Sequence, residues 1–342
     1  MHNSPSRSNT HQRLRVGLIG AGRIGKVHAQ SLVRAGANVA VIADPNEDTA
    51  EAVAAQFGIP RWTCDAAEVI RDPDVDAVVI CSPTALHAQQ IVDAAAHGKH
   101  IFCEKPVDLS LEGVDRAIAA VEAAGVKLMV GFNRRFDANF ARVRQAIAAD
   151  EVGQLSMLRI TSRDPSTPPL GYLKGSGGMF RDMTIHDFDM ARFLVGDEVD
   201  EVYVMAQTLH PDFKNGVIAY IENSREAAYG YDQRVEALGS KGAVSCDNNY
   251  ANSVVLATKD SVRRDVPLHF FLERYMGAYV AEMEAFIRIC TSEDDGAMPP
   301  VGGNDGREAL LLALAANKSL AENRPVKVDE LRGHPVVKSE MS

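Results

Sequence analysis

Lys105 lies between Glu104 and Pro106, directly after the apolar run His100-Ile101-Phe102-Cys103. Such a run reads as a buried strand, and Glu-Lys-Pro delivers a primary amine at its carboxyl end. In open α/β sheets, ligands bind outside that end of the strands. A cation placed there can stabilise negative charge that develops on a substrate oxygen. A second cluster is Asp182, His186 and Asp189, spaced by four and three residues, which puts all three on one face of a helix. A carboxylate one turn from an imidazole can orient it and favour its protonated form, which suits a general base removing a hydroxyl proton. The same pattern also describes a solvated helix face. The H-x-x-D spacing could seed a metal site, but no third ligand or other metal motif accompanies it, so no metal is expected.

The elements that must position Lys105 begin with Leu14–Gly20, a short apolar strand running into Gly20-Ala21-Gly22-Arg23-Ile24-Gly25. A helix-compatible stretch follows to Arg34, then a second strand, Asn38–Ala43, ending in Asp44. Strand, Gly-x-Gly-x-x-Gly, helix, strand and acid form the dinucleotide fingerprint in its required context. Gly20 permits the tight turn, Gly22 lets the backbone approach a pyrophosphate at the helix N-terminus, and Gly25 lets helix and strand pack closely. Asp44, 24 residues after Gly20, can accept from the adenosine ribose hydroxyls and would repel a 2′-phosphate, so NAD is expected rather than NADP. Arg23 could touch the pyrophosphate, and Ile24 lies in the same loop. Further βα units follow: helix Glu47–Phe57, strand Asp76–Cys81, helix Leu86–His97 with Gly98 as its stop, the strand before Lys105, helix Leu111–Ala124 and strand Leu128–Gly131. They predict a doubly wound parallel sheet. Ser82, Pro83 and Thr84, and later Asn133-Arg134-Arg135, fall on the same rim as Lys105. Ser82, Thr84 and Glu104 join Lys105 as cofactor-side candidates, with His87 in the helix that follows, although the ring shows no partner pattern of its own.

After a helix at Phe136–Ala149 the character changes. Leu155–Ser162, Val199–Leu209, Val217–Asn223, Arg234–Leu238 and Val254–Thr258 read as strands without intervening helices, so this sheet should be largely antiparallel. One helix, Phe180–Leu194, carries the Asp182/His186 cluster; Gly175–Gly178 precedes it and Gly196 ends it. Two helices, Tyr279–Ile289 and Gly306–Ala321, separated by Asp294-Asp295-Gly296 and Pro299-Pro300, should tie the halves together. The expected division is a tail at 1–13, a Rossmann domain at 14–134, an α+β domain at 135–330 and a tail at 331–342.

A chain of 342 residues fits two domains. No apolar run reaches the roughly 18–20 residues of a membrane span, so no membrane partner is expected. A net charge of −10 argues against a nucleic-acid footprint. The five cysteines are scattered with no C-x-x-C pair, as in a reduced, cytoplasmic protein.

Gly20–Gly25, Cys103-Glu104-Lys105-Pro106, Gly131–Asp137, the stretch from Arg163 to Asp189 and Tyr229-Gly230-Tyr231-Asp232 together resemble the Gfo/Idh/MocA family of nicotinamide-dependent oxidoreductases, over about Leu14 to Val328. The Arg-Asp-Met-x-Ile-His-Asp-x-Asp and Tyr-Gly-Tyr-Asp stretches are most similar to the family's inositol 2-dehydrogenase branch. That resemblance implies oxidation of myo-inositol by NAD to a 2-keto inositol, scyllo-inosose. It implies that Lys105 contacts the reacting hydroxyl and that Asp182 and His186 form the acid/base pair, His186 taking the proton. Arg134, Asp164, Asp189 and Tyr231 would line the pocket for the remaining hydroxyls. It also implies a homo-oligomer, commonly a tetramer built on the antiparallel sheet. Against the family pattern, Asp212-Phe213-Lys214 runs straight into Asn215, short by about one strand and turn. Another cyclitol or a pyranose as substrate, or NAD binding without turnover, are the competing readings.

Overall fold

A computed structural model of the chain describes residues 13–168, 177–205, 208–213, 215–292 and 296–332. The expected tails beyond residues 13 and 332, Gly175 and Ser176, Lys214 and the Asp294-Asp295 pair lie outside these residues.

The first half is a parallel sheet of strands β1 (Arg15–Ile19), β2 (Asn38–Ala43), β3 (Trp62–Thr63), β4 (Ala77–Ile80), β5 (His100–Glu104) and β6 (Leu128–Gly131), in the order β3-β2-β1-β4-β5-β6. Helices α1 (Arg23–Arg34), α2 (Glu47–Phe57), α3 (Ala66–Arg71), α4 (Thr84–Ala96) and α5 (Leu111–Ala124) make the crossovers. The strands are apolar along their length because helices cover both faces: Val16, Leu18, Val78, Val79, Ile101 and Phe102 are all wholly buried. Local chemistry sets the helix ends. Asn46 caps α2 by accepting from the Thr49 N–H, Ser110 caps α5, and Gly98 follows α4 at φ +68°, as its place in the sequence predicts. Strand order reverses between β1 and β4, so the carboxyl ends of these two strands open a crevice. The Trp62–Thr63 strand and α3 were not anticipated; both are short and lack a clear period.

The second half begins with α6 (Ala138–Ala148), capped by the Asp137 carboxylate. Its sheet comprises β7 (Leu155–Arg163), β8 (Val199–Met205), β9 (Thr208–Phe213), β10 (Ile218–Ser224), β11 (Asp232–Gly239), β12 (Gly242–Cys246) and the short β15 (Val326–Lys327). The order is β12-β11-β7-β10-β9-β8-β15. Every pair is antiparallel except β7 with β10, which run parallel from Met157 opposite Ile218 to Arg163 opposite Ser224. Parallel neighbours need a long crossover, and the chain between them supplies it through two helices and the β8–β9 hairpin. The segment expected as one strand from Val199 to Leu209 is therefore two. β9 occupies the place between β8 and β10 where the sequence suggested a shortage, and the sheet runs on through it. The Val254–Thr258 strand does not join this sheet; β13 (Val255–Ala257) pairs with β14 (Val262–Arg264) as a separate exposed ribbon.

The expected helix Phe180–Leu194 is broken into α7 (Met179–Asp182) and α8 (Ile185–Val195), with Met183 and Thr184 between them. After α9 (Phe271–Arg274), α10 (Met276–Cys290) and α11 (Gly303–Glu322) share both hydrophobic cores. Met283, Phe286, Ala309 and Leu310 pack into the first core; Ala278, Tyr279, Leu312 and Ala316 pack into the second. These helices thus fix the two sheets against each other, which any site between them requires.

Candidate active site

The crevice above β1 and β4 deepens into a cleft of about 820 Å³ lined from both halves of the chain. On one side stands the glycine loop. A Cβ on Gly20, at φ +99°, would meet the Cys81 carbonyl at 2.6 Å, and one on Gly25 would meet the Gly20 carbonyl oxygen at 2.0 Å. Both glycines therefore serve close backbone packing, and Gly25 itself does not line the cleft. Gly22 does, with nothing within 4 Å of a built Cβ, and α1 starts there without a side-chain cap. Its first N–H groups and open backbone suit an anionic pyrophosphate, so the loop fits a dinucleotide. Arg23 and Ile24 also line the cleft, and the Arg23 guanidinium lies 5.9 Å from the Phe270 ring and 5.8 Å from Phe271. Asp44 faces the cleft too. One carboxylate oxygen accepts from the Ala21 N–H at 2.8 Å and the other from the Asn46 N–H at 2.9 Å, so the acid expected at the ribose braces the glycine loop.

Ser82 and Thr84 lie at the rim, at the end of β4 and the start of α4. His87 and Glu104 line the same cleft, but their polar atoms are engaged elsewhere. The His87 Nδ1 is 2.8 Å from the Pro106 carbonyl and its Nε2 is 2.7 Å from the Ser82 carbonyl, so this ring ties two rim loops together and leaves no nitrogen for a cofactor. Burial pulls its pKa down, against the two carbonyls. The Glu104 carboxylate takes a 2.6 Å contact from His28 Nε2 and accepts the Lys105 N–H at 3.1 Å. Glu104 thereby holds the backbone from which Lys105 projects.

Lys105 reaches across to the second half. Its Nζ donates to the Asp182 carbonyl oxygen at 2.6 Å and lies 3.4 Å from the Asp182 carboxylate. His186 lines the same cleft, its ring edge-on to Phe132 at 6.0 Å. The expectation that Asp182 orients His186 is not met. The helix breaks between them, Asp182 turns to Lys105 and Arg225, and His186 Nδ1 is buried without a partner among the described residues. Nor is the protonated imidazole favoured. Burial first, then the Lys105 and Arg134 cations, push the His186 pKa well below its ordinary value, so the ring is neutral and able to accept a proton.

Asp189 is a second correction. It does not line the cleft; its carboxylate receives Arg135 Nη2 at 2.6 Å and Nε at 2.9 Å, wholly buried between α8 and the rim. The break separates Asp182 from His186, whereas Asp189 shares α8 with His186 and is drawn out of the cleft by its ion pair with Arg135. Arg134 does line the cleft, but its Nη1 donates to Asp187 at 2.5 Å and its Nη2 to Ser162 at 3.2 Å. Tyr231 and Asp164 face the cleft; burial raises both pKa values, the tyrosine's strongly. Arg225, absent from the sequence-based set, also lines it, as do Tyr275 and Tyr279. Asp164 follows β7 and Arg225 follows β10, so both emerge at the carboxyl end of the only parallel pair described in the second sheet. A sheet read as antiparallel has no such rim to search, which hid Arg225.

Among the described residues no helix is long and apolar enough to cross a membrane. Residues 14–132 match the model of an oxidoreductase family with an NAD-binding Rossmann fold, and residues 140–245 match the GFO/IDH/MocA C-terminal domain. The chain is 48% identical to an inositol 2-dehydrogenase of Rhizobium meliloti, covering 92% of this chain and 99% of that one. It is 44% identical to a myo-inositol 2-dehydrogenase of Thermotoga maritima, covering 94% and 100%. A solved structure of myo-inositol dehydrogenase from Lactobacillus casei, in complex with NAD(H) and myo-inositol, superposes with a TM-score of 0.83 at 26% identity, over 92% of this chain and 97% of that one. The glycine loop, the two-core architecture and these matches over nearly the whole length agree: the chain belongs to the Gfo/Idh/MocA family of oxidoreductases, and its first half is an NAD-binding Rossmann fold.

Proposed function

We propose that the chain is an NAD-dependent inositol 2-dehydrogenase that oxidises myo-inositol to scyllo-inosose, with His186 as general base. The observation that carries this is the convergence of the Lys105 ammonium and the neutral His186 imidazole on the cleft that holds the glycine loop and Asp44. Loss of hydride from an alcohol carbon becomes easier as its oxygen gains negative charge. His186 takes the hydroxyl proton and Lys105 stabilises the resulting alkoxide. NAD, when bound, would supply the nicotinamide as acceptor for the hydride and its electron pair. Asp44 would hold the adenosine ribose, and the uncapped start of α1 would hold the pyrophosphate. A polyol carries no charge to grip, so recognition needs several hydrogen bonds; Tyr231 and Asp164 offer them directly, and the ion-paired Arg134 frames them. The names of the relatives above support the inositol assignment. The outer face of the second sheet exposes Met157, Ile218, Met205 and Leu238, which supports a homo-oligomer, a tetramer in the fullest form of this reading. The five free cysteines fit a cytoplasmic setting.

Initial rates of NADH formation with myo-inositol, scyllo-inositol, glucose and galactose test the assignment. Turnover with myo-inositol well above the sugars is expected. No reduction of NAD with either inositol sinks the specific assignment, and turnover with a pyranose alone moves the enzyme to the sugar-oxidising reading. A stable tetramer in sedimentation is the expected assembly; a monomer at micromolar concentration would remove it.

A further inference from the structure

Arg225 follows the last residue of β10 and is buried, with only 8% of its surface exposed in the cleft it lines. Two backbone hydrogen bonds fix this corner: the Asp164 N–H donates to Ser224 at 2.8 Å, and the Ala227 N–H donates to Asp164 at 2.9 Å. From there the Arg225 Nη2 donates to Asp182 Oδ2 at 2.8 Å. The other carboxylate oxygen lies 3.4 Å from Lys105 Nζ, so the acid leans toward the guanidinium and away from the amine. The shortest contact of Lys105 Nζ is instead with a neutral acceptor, the Asp182 carbonyl, at 2.6 Å.

A carboxylate that closes directly on an ammonium spends the charge of both. We propose that Arg225 is a positioning residue that holds the Asp182 carboxylate off the Lys105 ammonium, leaving that positive charge for the alkoxide. Asp182 then anchors Lys105 chiefly through its main chain, and its side-chain charge is answered by Arg225. The arrangement also explains why Arg225 is built into a cleft for an uncharged substrate: its counter-charge is Asp182, not the ligand. Among the described residues the Arg225 Nε is buried without a partner, and the guanidinium meets Asp182 through Nη2.

The inference rests on reading Lys105 as the cation beside the reacting hydroxyl, and its test separates the two. A crystal structure of R225Q is expected to show Asp182 swung onto Lys105 Nζ, from 3.4 Å to the roughly 2.8 Å of a direct ion pair; an unmoved Asp182 overturns the proposal whatever the substrate proves to be. In turnover with the best alcohol of the panel, R225Q should lose about 10–100-fold in kcat with KM changed less than about threefold, and R225K should recover most of that loss. In a D182N background the R225Q change should have almost no further effect, because Arg225 acts through Asp182. A rise in KM alone, or losses that simply add in the double variant, would make Arg225 a direct substrate ligand or a structural residue instead. Failure of every inositol as substrate would sink the assignment above while leaving the structural result for R225Q decisive here.

Discussion

The two halves of the molecule deliver chemistry to the same cleft by different means. The Rossmann rim places Gly22, Asp44, Ser82 and Lys105 at the carboxyl ends of parallel strands, where topology alone aims them at the crevice. The 179–195 segment aims its residues by breaking a helix. Asp182 and His186 face the cleft from either side of the break, and Asp187 and Asp189 are buried in ion pairs with Arg134 and Arg135. Position on the rim is enough in the first half. In the second half, neighbouring acids have opposite duties, one group meeting Lys105 and the other bolting the segment to the rim arginines.

Substitutions should separate these duties. The largest effect is expected at the shared centre: H186A should lower kcat by about 10²–10⁴-fold with NAD affinity nearly unchanged, measured by steady-state rates and nucleotide titration. A near-full rate at neutral pH would show that another group takes the proton. Next come the bolts. D187A strands the buried Arg134, and removal of one partner of such a pair costs about 3–5 kcal/mol in denaturant unfolding, whereas D189A leaves the half-buried Arg135 with Asp305 at 2.9 Å and should cost less. The folded D189A protein should nevertheless keep its kcat, because Asp189 does not reach the cleft; a large kcat loss at unchanged stability would reverse the assignment of roles. In the Rossmann half, D44S should relax the preference for NAD over NADP by about tenfold, roughly 1.4 kcal/mol, read as the ratio of kcat/KM values. An unchanged ratio would leave Asp44 as a brace for the loop alone.

The smallest effect is in pH. Burial and the nearby cations lower the His186 pKa, so the acid limb of kcat/KM should fall below the ordinary imidazole value of 6.5, not above it. The sign for stability is the same. Below 6.5 the unfolded chain binds the proton and the folded chain does not, so this residue's contribution, present above that value, is lost as pH falls toward the lowered pKa. An acid limb above 6.5 would mean that a carboxylate faces the ring after all.

Much of the Rossmann half was legible because its rules are local. Alternating strands and helices, the Gly20–Gly25 spacing and the acid at Asp44 each carry their own geometry. The antiparallel character of the second sheet was legible too, from strands without helices between them. The break at Met183-Thr184 was not, since Phe180–Leu194 keeps a helical period throughout and tertiary pairing of Asp182 with Lys105 and Arg225 overrides it. Asp189 was misplaced for another reason: it shares α8 with His186, and its pairing with Arg135 is a contact between distant residues that the helical period does not record. Arg225 was hidden because a single parallel pair, β7 with β10, depends on which distant strands become neighbours, and nothing in either strand's own residues records that.

A crystal structure with NADH and myo-inositol tests the central claim most directly. His186 and the Lys105 Nζ should both lie within about 3.2 Å of the same inositol hydroxyl oxygen, on the carbon facing the nicotinamide. An inositol held with that hydroxyl on Asp182 or Arg225, and His186 out of reach, would contradict it.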